Sequence, residues 1–259
     1  LPDVSNLQEI KLHVPLRIYS QDDSLIAEFG EKRRRPISID EVPTQIIQAF
    51  LAAEDDRFYQ HPGVDWQGIV RAVAHLIKTG DKAQGGSTIT MQVARNFFLS
   101  REKTYLRKLN EIFLALKIER ELSKDKILEL YLNKIYLGHR SYGIAAASQA
   151  YYGIEIDELT LAQMAMLASL PKAPSSTNPI SNPAGAKIRR NYVLQRMLEE
   201  NFLTEEEYQA AHTSPITASL HNPFIEVEAP YVAGMIRKQL IKQYGNSAYI
   251  SGLVVTTTI

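Results

Sequence analysis

The segment from Tyr105 to Leu122, YLRKLNEIFLALKIEREL, constrains the fold most strongly, because as a helix it is apolar on two opposite sides. One stripe consists of Leu106, Leu109, Phe113 and Leu116. The opposite side carries Leu114, Ile118 and Leu122, with Glu111 among them. A helix that is apolar almost all round is predicted to lie at the centre of its domain. Glu111 is then a buried carboxylate, which either a structural pair with Arg107 or a chemical role would explain.

Helical signals dominate from Pro43 onward and predict a mainly α fold with a small N-terminal β segment. In the first forty residues, PLRIYS and SLIAEFG flank the turn-forming QDDS, and EKRRRPISI is a further candidate strand. Capping patterns at Thr160, Thr204 and Asn182-Pro183 mark three helix starts. Other helices are predicted from Ser87 to about Leu99, from Thr104 to about Leu122, and from Ser123 to a C-cap at Gly138, giving about eight in all.

The overall composition excludes several classes of function. Lys plus Arg and Asp plus Glu number 29 each, so the net charge does not favour nucleic acid as a partner. The chain has no cysteine and therefore no disulfide or thiolate metal site. No apolar run approaches the roughly 18 residues of a membrane span. The chain is therefore predicted to be soluble.

The stretch LAAEDDRFYQHPG, residues 51–63, contains a second carboxylate in an apolar setting. Read as a helix that enters from about Pro43 and ends at His61, it places Glu54 in the middle of an apolar stripe. That stripe consists of Ile47, Phe50, Leu51 and Phe58. An ionised carboxylate is costly to bury, so Glu54 is expected to be paired, to line a cleft or to act in chemistry.

A glycine pair before a helix start predicts an anion site. Gly85 and Gly86 precede Ser87, so backbone N–H groups can approach an anion closely. One face of the helix that follows collects the polar residues Thr88, Gln92, Arg95 and Asn96, and Arg95, Lys103, Arg107 and Lys108 form a cationic cluster. Phosphate or pyrophosphate is the natural ligand, although an ordinary glycine turn with a solvated face explains the same residues.

Two inward carboxylates beside cations suit glycosyl transfer from a phosphate-linked sugar. One carboxylate removes the proton of the attacking hydroxyl, and the cations hold the charge that develops on the leaving phosphate. A glycosidase also uses two carboxylates, but its leaving group is an alcohol that needs a proton. The sequence has no zinc motif, Ser-His-Asp grouping, nucleophile elbow or Walker loop.

Five stretches occur in the order of the five motifs of the peptidoglycan glycosyltransferases, family fifty-one. They are EDDRFYQHPGVD, GGSTITMQVARN, RKLNE, KDKILELYLN and RRNYVL, which begin at Glu54, Gly85, Arg107, Lys124 and Arg189. The chain resembles this family from about Ile39 to Pro215. The resemblance implies a lysozyme-like helical glycosyltransferase domain at residues 41–220. It also implies that residues 1–40 form a β segment that follows a membrane anchor. Residues 221–259 would begin a linker to a transpeptidase domain, as in bifunctional class A penicillin-binding proteins.

The family pattern implies polymerisation of lipid II into β-1,4 glycan strands, with inversion and release of undecaprenyl pyrophosphate. It implies Glu54 as the general base on the acceptor hydroxyl, and Glu111 as a second catalytic glutamate beside the pyrophosphate, directly or through a divalent cation, Mg or Mn. No organic cofactor is implied. The implied substrate-binding residues are Asp55, Phe58, His61, Ser87, Thr88, Gln92, Arg95, Asn96, Lys103 and Arg107.

The same resemblance implies the partners and the location of the chain. The partners are lipid II and the growing glycan strand, the membrane surface and moenomycin-type inhibitors, and the location is the outer, periplasmic face of the cytoplasmic (inner) membrane. Three positions depart from the usual family residues, because Met91 replaces a glutamine, Arg95 a lysine and Lys103 an arginine. Charge is kept at the last two, while the hydrogen-bond geometry differs.

Two other functions stay open from the sequence. A muramidase or lytic transglycosylase would share the fold but has no need of the anion-binding face. In a non-catalytic membrane-associated scaffold, Glu54 and Glu111 would only be paired charges. Phe97, Phe98 and Leu99 are candidate membrane contacts, although core packing explains such a triplet equally well. The glycines of the segment Lys78–Gly86 predict a loop able to close over a substrate.

Overall fold

A computed structural model describes residues 2–4, 7, 12–30, 33–70, 86–99, 105–221 and 227–258 of the chain. The helices bounded within these ranges are α1 (Thr44–Glu54), α2 (Ile89–Phe98), α3 (Tyr105–Glu121), α4 (Lys124–Lys134), α5 (Ile144–Tyr152), α6 (Leu161–Ser169), α7 (Pro183–Glu199), α8 (Glu205–Thr213) and α9 (Pro230–Tyr244). The strands are β1 (Leu16–Tyr19), β2 (Leu25–Phe29), β3 (Arg33–Arg34), β4 (Ser141–Tyr142) and β5 (Val254–Thr256). The predicted mainly α fold with a small N-terminal β segment is confirmed.

The strands form two small sheets. β1 and β2 make the antiparallel hairpin predicted around QDDS, with Leu16 opposite Phe29. β5 adds to the other edge of β1 in parallel, with Ile18 opposite Val255. The candidate strand EKRRRPISI contributes only the two residues of β3, which pair with β4. Residues from both ends of the described chain therefore share one sheet.

Three helices begin at the side-chain caps that the sequence predicted. Thr160 and Thr204 form capping boxes, and Asn182 caps α7 ahead of Pro183. Two predicted boundaries are wrong. Thr88, not Ser87, caps α2, and α4 ends at Lys134 rather than at Gly138. Gly138 instead serves a turn, where its φ of +92° and a hypothetical Cβ only 2.5 Å from the Tyr151 hydroxyl exclude other residues.

The Thr160 cap provides a stability test. The Thr160 hydroxyl accepts a hydrogen bond from the Gln163 N–H at 3.4 Å, and Gln163 returns one to the Thr160 N–H at 2.8 Å. Thr160→Ala removes the first of these, so we expect the free energy of unfolding to fall by about 1 kcal/mol in urea titration. Thr160→Ser keeps the oxygen and should match the parent. An alanine variant with the parent's urea midpoint would show that the cap contributes nothing.

The helices pack so that α1 and α2 lie inside the domain. α1 contacts α6 and α7, and α2 contacts α3 and α4. The main core includes Ile46 and Phe50 of α1, Ile89 and Val93 of α2, and Leu167 of α6. Since these helices meet in the core, the residues at the C-terminal end of α1 and along α2 are held by rigid neighbours.

The prediction that α3 is surrounded by protein is wrong for one of its two apolar sides. Glu111 and Leu114 are 1% and 0% exposed, whereas Leu106, Leu109 and Phe113 are 68%, 52% and 54% exposed. Only the side that carries Glu111 faces α2 and α4, and the other side remains at the surface. We call Leu106, Leu109 and Phe113 the α3 apolar face. No helix among the described residues is long and apolar enough to cross a membrane.

Candidate active site

The helix that carries Glu54 stops at that residue. α1 ends at Glu54, and Asp55 leaves the helical conformation, with φ −164° and ψ 76°. A short 3-10 turn, Phe58–Gln60, follows. The predicted continuation of the helix to His61 is therefore wrong. The Asp55 side chain instead makes hydrogen bonds to His61 and to the Ile89 N–H, which compete with continuation of the helix.

Asp55 fastens the end of α1 to the start of α2. Its carboxylate accepts a hydrogen bond from His61 Nε2 at 2.9 Å and another from the Ile89 backbone N–H at 2.9 Å. A carboxylate is favourable there because the N-terminal turn of a helix carries unpaired N–H groups and a partial positive charge. His61 Nδ1 accepts from the Gly63 N–H at 3.2 Å, so the proton of this imidazole lies on Nε2 and points to Asp55.

Thr88 and Met91 serve the local structure of α2. The Thr88 hydroxyl donates to the Gly63 carbonyl at 2.6 Å and accepts from the Met91 N–H at 3.2 Å. Met91 is 1% exposed and packs with Val64 and Ala115 in a small apolar cluster. The departure from glutamine at Met91 thus places an apolar side chain in an apolar environment.

Glu54 is joined to α2 by a hydrogen bond and has a raised pKa. Its Oε2 accepts a hydrogen bond from Gln92 Nε2 at 2.9 Å, which joins α1 to α2. Burial raises the pKa of Glu54 above its ordinary value of 4.5, while the Gln92 hydrogen bond and the charges of Arg189, Lys172 and Arg95 partly oppose that rise. A carboxylate with a raised pKa binds a proton more readily than an ordinary glutamate.

Two of the cations that act on Glu54 were missed as site residues by the sequence analysis. Arg189 stands in the motif RRNYVL, but the motif alone does not separate it from Arg190. Arg190 is 1% exposed and is occupied by the carbonyls of His212 and Ser214, so only Arg189 can serve the site. Lys172 lies in the loop after α6, and no local pattern distinguishes it from other exposed lysines.

Glu111 is held by two cations on its own helix. Arg107 donates to Glu111 Oε1, and Lys108 Nζ lies 3.1 Å from Glu111 Oε2. Lys108 also donates to Ser87 Oγ, which ties α3 to the residue before the Thr88 cap. The structure therefore joins Ser87, Lys108, Arg107 and Glu111 in one cluster of mixed charge, which we call the α3 charge cluster.

The remaining predicted site residues have different environments. Phe58 is buried, and Lys124 Nζ lies 4.4 Å from the centre of its ring. Arg95 and Asn96 are half-buried on the last turn of α2. Lys103 and residues 78–85 of the predicted mobile loop lie outside the described residues.

The α3 charge cluster contains one carboxylate and two cationic side chains. Among the described residues, no group of three or more His, Cys, Asp or Glu side chains could hold a metal ion. Glu111 already has two cationic neighbours, and magnesium or manganese would have to compete with both of them.

Comparisons with known proteins agree with this arrangement. A family model described as "Transglycosylase" matches residues 22–198. The chain therefore belongs to the transglycosylase family and is a glycosyltransferase. The predicted resemblance to the peptidoglycan glycosyltransferases and the prediction of a transferase are both confirmed.

The relatives are named as penicillin-binding proteins. The chain is 53% identical to "Penicillin-binding protein 1A" of Pseudomonas aeruginosa, covering all of this chain and 32% of that protein. It is 51% identical to the protein of the same name from Escherichia coli, covering all of this chain and 30% of the relative. A crystal structure of Penicillin-Binding Protein 1A from Haemophilus influenzae matches with 35% identity and a TM-score of 0.53, over 96% of this chain and 27% of that one. The chain spans about a third of the curated relatives it matches.

Proposed function

We propose that this domain polymerises lipid II into β-1,4 glycan strands, with inversion at the donor sugar and release of undecaprenyl pyrophosphate. The environment of Glu54 carries the proposal. This carboxylate is desolvated, accepts a hydrogen bond from Gln92, and lies within the field of Arg95, Arg189 and Lys172. A base of this kind takes the proton of the acceptor hydroxyl as that hydroxyl attacks the donor sugar.

The α3 charge cluster supplies the second half of the reaction. Negative charge develops on the pyrophosphate as its bond to the sugar breaks, and fixed donors near that charge lower the barrier. Lys108 and Arg107 provide such donors, and Glu111 holds both side chains in place. In this proposal Glu111 orients the cations beside the leaving group, and no step requires a metal.

A muramidase or lytic transglycosylase is less consistent with the same contacts. Cleavage of a glycosidic bond needs a carboxylic acid that gives a proton to the leaving alcohol. An alcohol leaving group needs no cationic donors, so a hydrolase would leave Arg107 and Lys108 without a role beside the bond that breaks. A non-catalytic scaffold would not need a desolvated glutamate whose only hydrogen-bond donor, among the residues that the structure describes, is Gln92.

The direct test is incubation of the purified chain with labelled lipid II in detergent. We expect labelled polymer that lysozyme digests, and no soluble fragments from preformed cell-wall polymer. Fragment release without polymer would favour the muramidase. Binding of lipid II without turnover would favour the scaffold. Moenomycin-type inhibitors are proposed to bind the same site and should block polymer formation.

We also propose that the α3 apolar face contacts the membrane surface, at the periplasmic side of the cytoplasmic membrane. Leu106, Leu109 and Phe113 expose large apolar side chains on the same helix as Arg107 and Lys108. Contact between this face and a bilayer would bring the α3 charge cluster to the depth of lipid phosphates. The predicted contact triplet is less suited, because Phe97, Phe98 and Leu99 are half-buried against the main core.

Liposome binding separates the two apolar groups. The double variant Leu109→Ser, Phe113→Ser should reduce sedimentation with anionic liposomes several-fold, because it removes two exposed apolar side chains. Its urea midpoint should stay near the parent's. Phe98→Ser should do the reverse, with lower stability and nearly unchanged liposome binding. If Phe98→Ser alone abolished binding, the contact would belong to the end of α2 instead.

A further inference from the structure

α4 begins at Lys124, a type of residue that the N-terminus of a helix disfavours. Ser123 caps the helix, so Lys124 lies in its first turn, where the partial positive charge of the helix repels a cation. The Lys124 side chain is nevertheless only 20% exposed. A charged residue in such a place requires an explanation outside its own helix.

Three contacts hold the ammonium group of Lys124. Its Nζ donates to the His61 backbone carbonyl at 2.7 Å and to Glu119 Oε1 at 2.7 Å, and it lies 4.4 Å from the centre of the Phe58 ring. A carboxylate, a carbonyl dipole and an aromatic face each stabilise a cation that is largely removed from water. Phe58 and His61 both belong to residues 55–63, which follow α1 and which we call the 55–63 segment. Lys124 therefore connects α4 to this segment.

Glu119 fixes the position of Lys124 relative to α2 and α3. It belongs to the last turns of α3, and its side chain is 9% exposed. The oxygen that pairs with Lys124 also accepts a hydrogen bond from the Thr90 hydroxyl of α2 at 2.5 Å. A Cβ at Gly63 would lie 2.9 Å from Glu119 Cγ, so the 55–63 segment packs directly against α3. This carboxylate thus joins α2, α3 and α4 beside the segment.

The 55–63 segment in turn holds the residue next to the proposed base. The His61 ring is 5% exposed and donates from Nε2 to Asp55 at 2.9 Å. Asp55 directly follows Glu54, the last residue of α1. A shift of the His61 backbone would carry the imidazole away from Asp55 and loosen this end of α1. Such a shift is costly, because a misplacement of about 1 Å can lower a rate roughly 100-fold.

We propose that Lys124 is a positioning residue for Glu54, which acts by holding the His61 carbonyl so that the hydrogen bond between His61 and Asp55 stays formed. The inference rests on the proposed function and deepens it. The path from Lys124 to Glu54 runs through His61 and Asp55, so it needs no contact between Lys124 and the substrate. Loss of the Lys124 contacts should therefore lower kcat and leave the KM for lipid II nearly unchanged.

Lys124→Met tests the inference without substrate. Methionine keeps an unbranched apolar chain and removes the charge and the donors. In protein labelled with ¹⁵N-histidine, the His61 Nε2–H proton, assigned by its loss in His61→Asn, should exchange slowly in the parent because it is buried and bound to Asp55. In Lys124→Met this proton should exchange with water roughly tenfold faster, since the 55–63 segment opens more often. An unchanged exchange rate would overturn the inference.

Polymerisation kinetics provide the second readout. We expect kcat of Lys124→Met to fall roughly tenfold, with a KM for lipid II within about twofold of the parent's. Lys124→Arg keeps a cation with several donors and should recover most of the rate and of the slow exchange. A raised KM with the parent's kcat would place Lys124 in substrate binding and overturn the positioning role. If the parent makes no polymer, the proposed function fails, and proton exchange alone still decides the role of Lys124.

Lys126 is the matched control. It lies in the same turn of α4 and pairs with Glu129 at 2.6 Å, on a different side of the helix from the 55–63 segment. Lys126→Met should keep the parent's kcat and exchange rate, and equal effects in both methionine variants would overturn the assignment. Glu119→Gln tests the same path if Lys124→Met does not fold, because it removes the charge that holds Lys124. It should change kcat and exchange in the same direction but less, and parent values for both would overturn the inference.

Discussion

Glu54→Gln should reduce the rate of lipid II polymerisation by roughly 100-fold or more, because the substitution keeps the size of the side chain and removes the base. The amide oxygen can still accept the hydrogen bond from Gln92 that the structure shows at 2.9 Å. Substrate binding should change little, since the cations of the α3 charge cluster are untouched. The loss should therefore fall on kcat, measured by polymer formation at saturating lipid II.

The control for this variant is Glu206→Gln, which removes an exposed carboxylate of α8. It should polymerise at the parent rate. Polymerisation by Glu54→Gln at the parent rate would refute the assignment of Glu54 as base, while the family membership of the chain would stand.

The pH dependence of the parent follows from the raised pKa of Glu54. The base works only when ionised, so activity should fall as pH is lowered through a value above the ordinary 4.5. Stability should move in the opposite sense. A carboxylate whose pKa is raised by folding stabilises the fold at low pH and loses that contribution as pH rises from about 4.5 through the folded-state pKa. At neutral pH, Glu54→Gln should thus be at least as stable as the parent, although it polymerises far more slowly.

Arg190→Leu should lower the free energy of unfolding by about 3–5 kcal/mol. The guanidinium is 1% exposed and donates to the His212 carbonyl at 2.9 Å and the Ser214 carbonyl at 2.8 Å. It also donates from Nε to Asn191 at 3.0 Å. These contacts join α7 to the last turn of α8 and to Ser214, which follows it. Leucine would leave the carbonyls buried without donors, and urea titration would show the cost.

Two further variants serve as controls for Arg190→Leu. Lys187→Ala, on the exposed side of the same helix, should change the unfolding free energy by less than about 0.5 kcal/mol. Arg190→Lys should recover only part of the loss, because one ammonium group cannot reproduce the planar set of donors. If Arg190→Leu were as stable as the parent, water would have to satisfy these carbonyls, and the hydrogen bonds of Arg190 would contribute nothing to stability.

Local patterns predicted the features of this fold that depend on neighbouring residues in the chain. The caps at Thr160, Thr204 and Asn182 were identifiable because a capping side chain acts within three residues. The burial of Glu111 was identifiable because helical spacing places it among Leu114 and Ile118. These rules require no knowledge of what lies across the helix.

The features that could not be predicted depend on the other side of a contact. Spacing showed that Leu106, Leu109 and Phe113 share a face of α3, but it does not show what covers that face. Arg190 is buried against carbonyl groups and Arg189 acts on Glu54 because of the way α7 packs, which the sequence does not show. The end of α1 at Glu54 depends on His61 and the Ile89 N–H, both of which compete with the helix for Asp55.

The two hydrogen bonds of Asp55 have a consequence for how Glu54 can move. Because His61 and the Ile89 N–H hold the residue next to Glu54, the base and its donor Gln92 move together with α2. The orientation of the carboxylate is therefore coupled to the position of α2, so any displacement of that helix would carry Glu54, Gln92 and Asp55 with it as one unit.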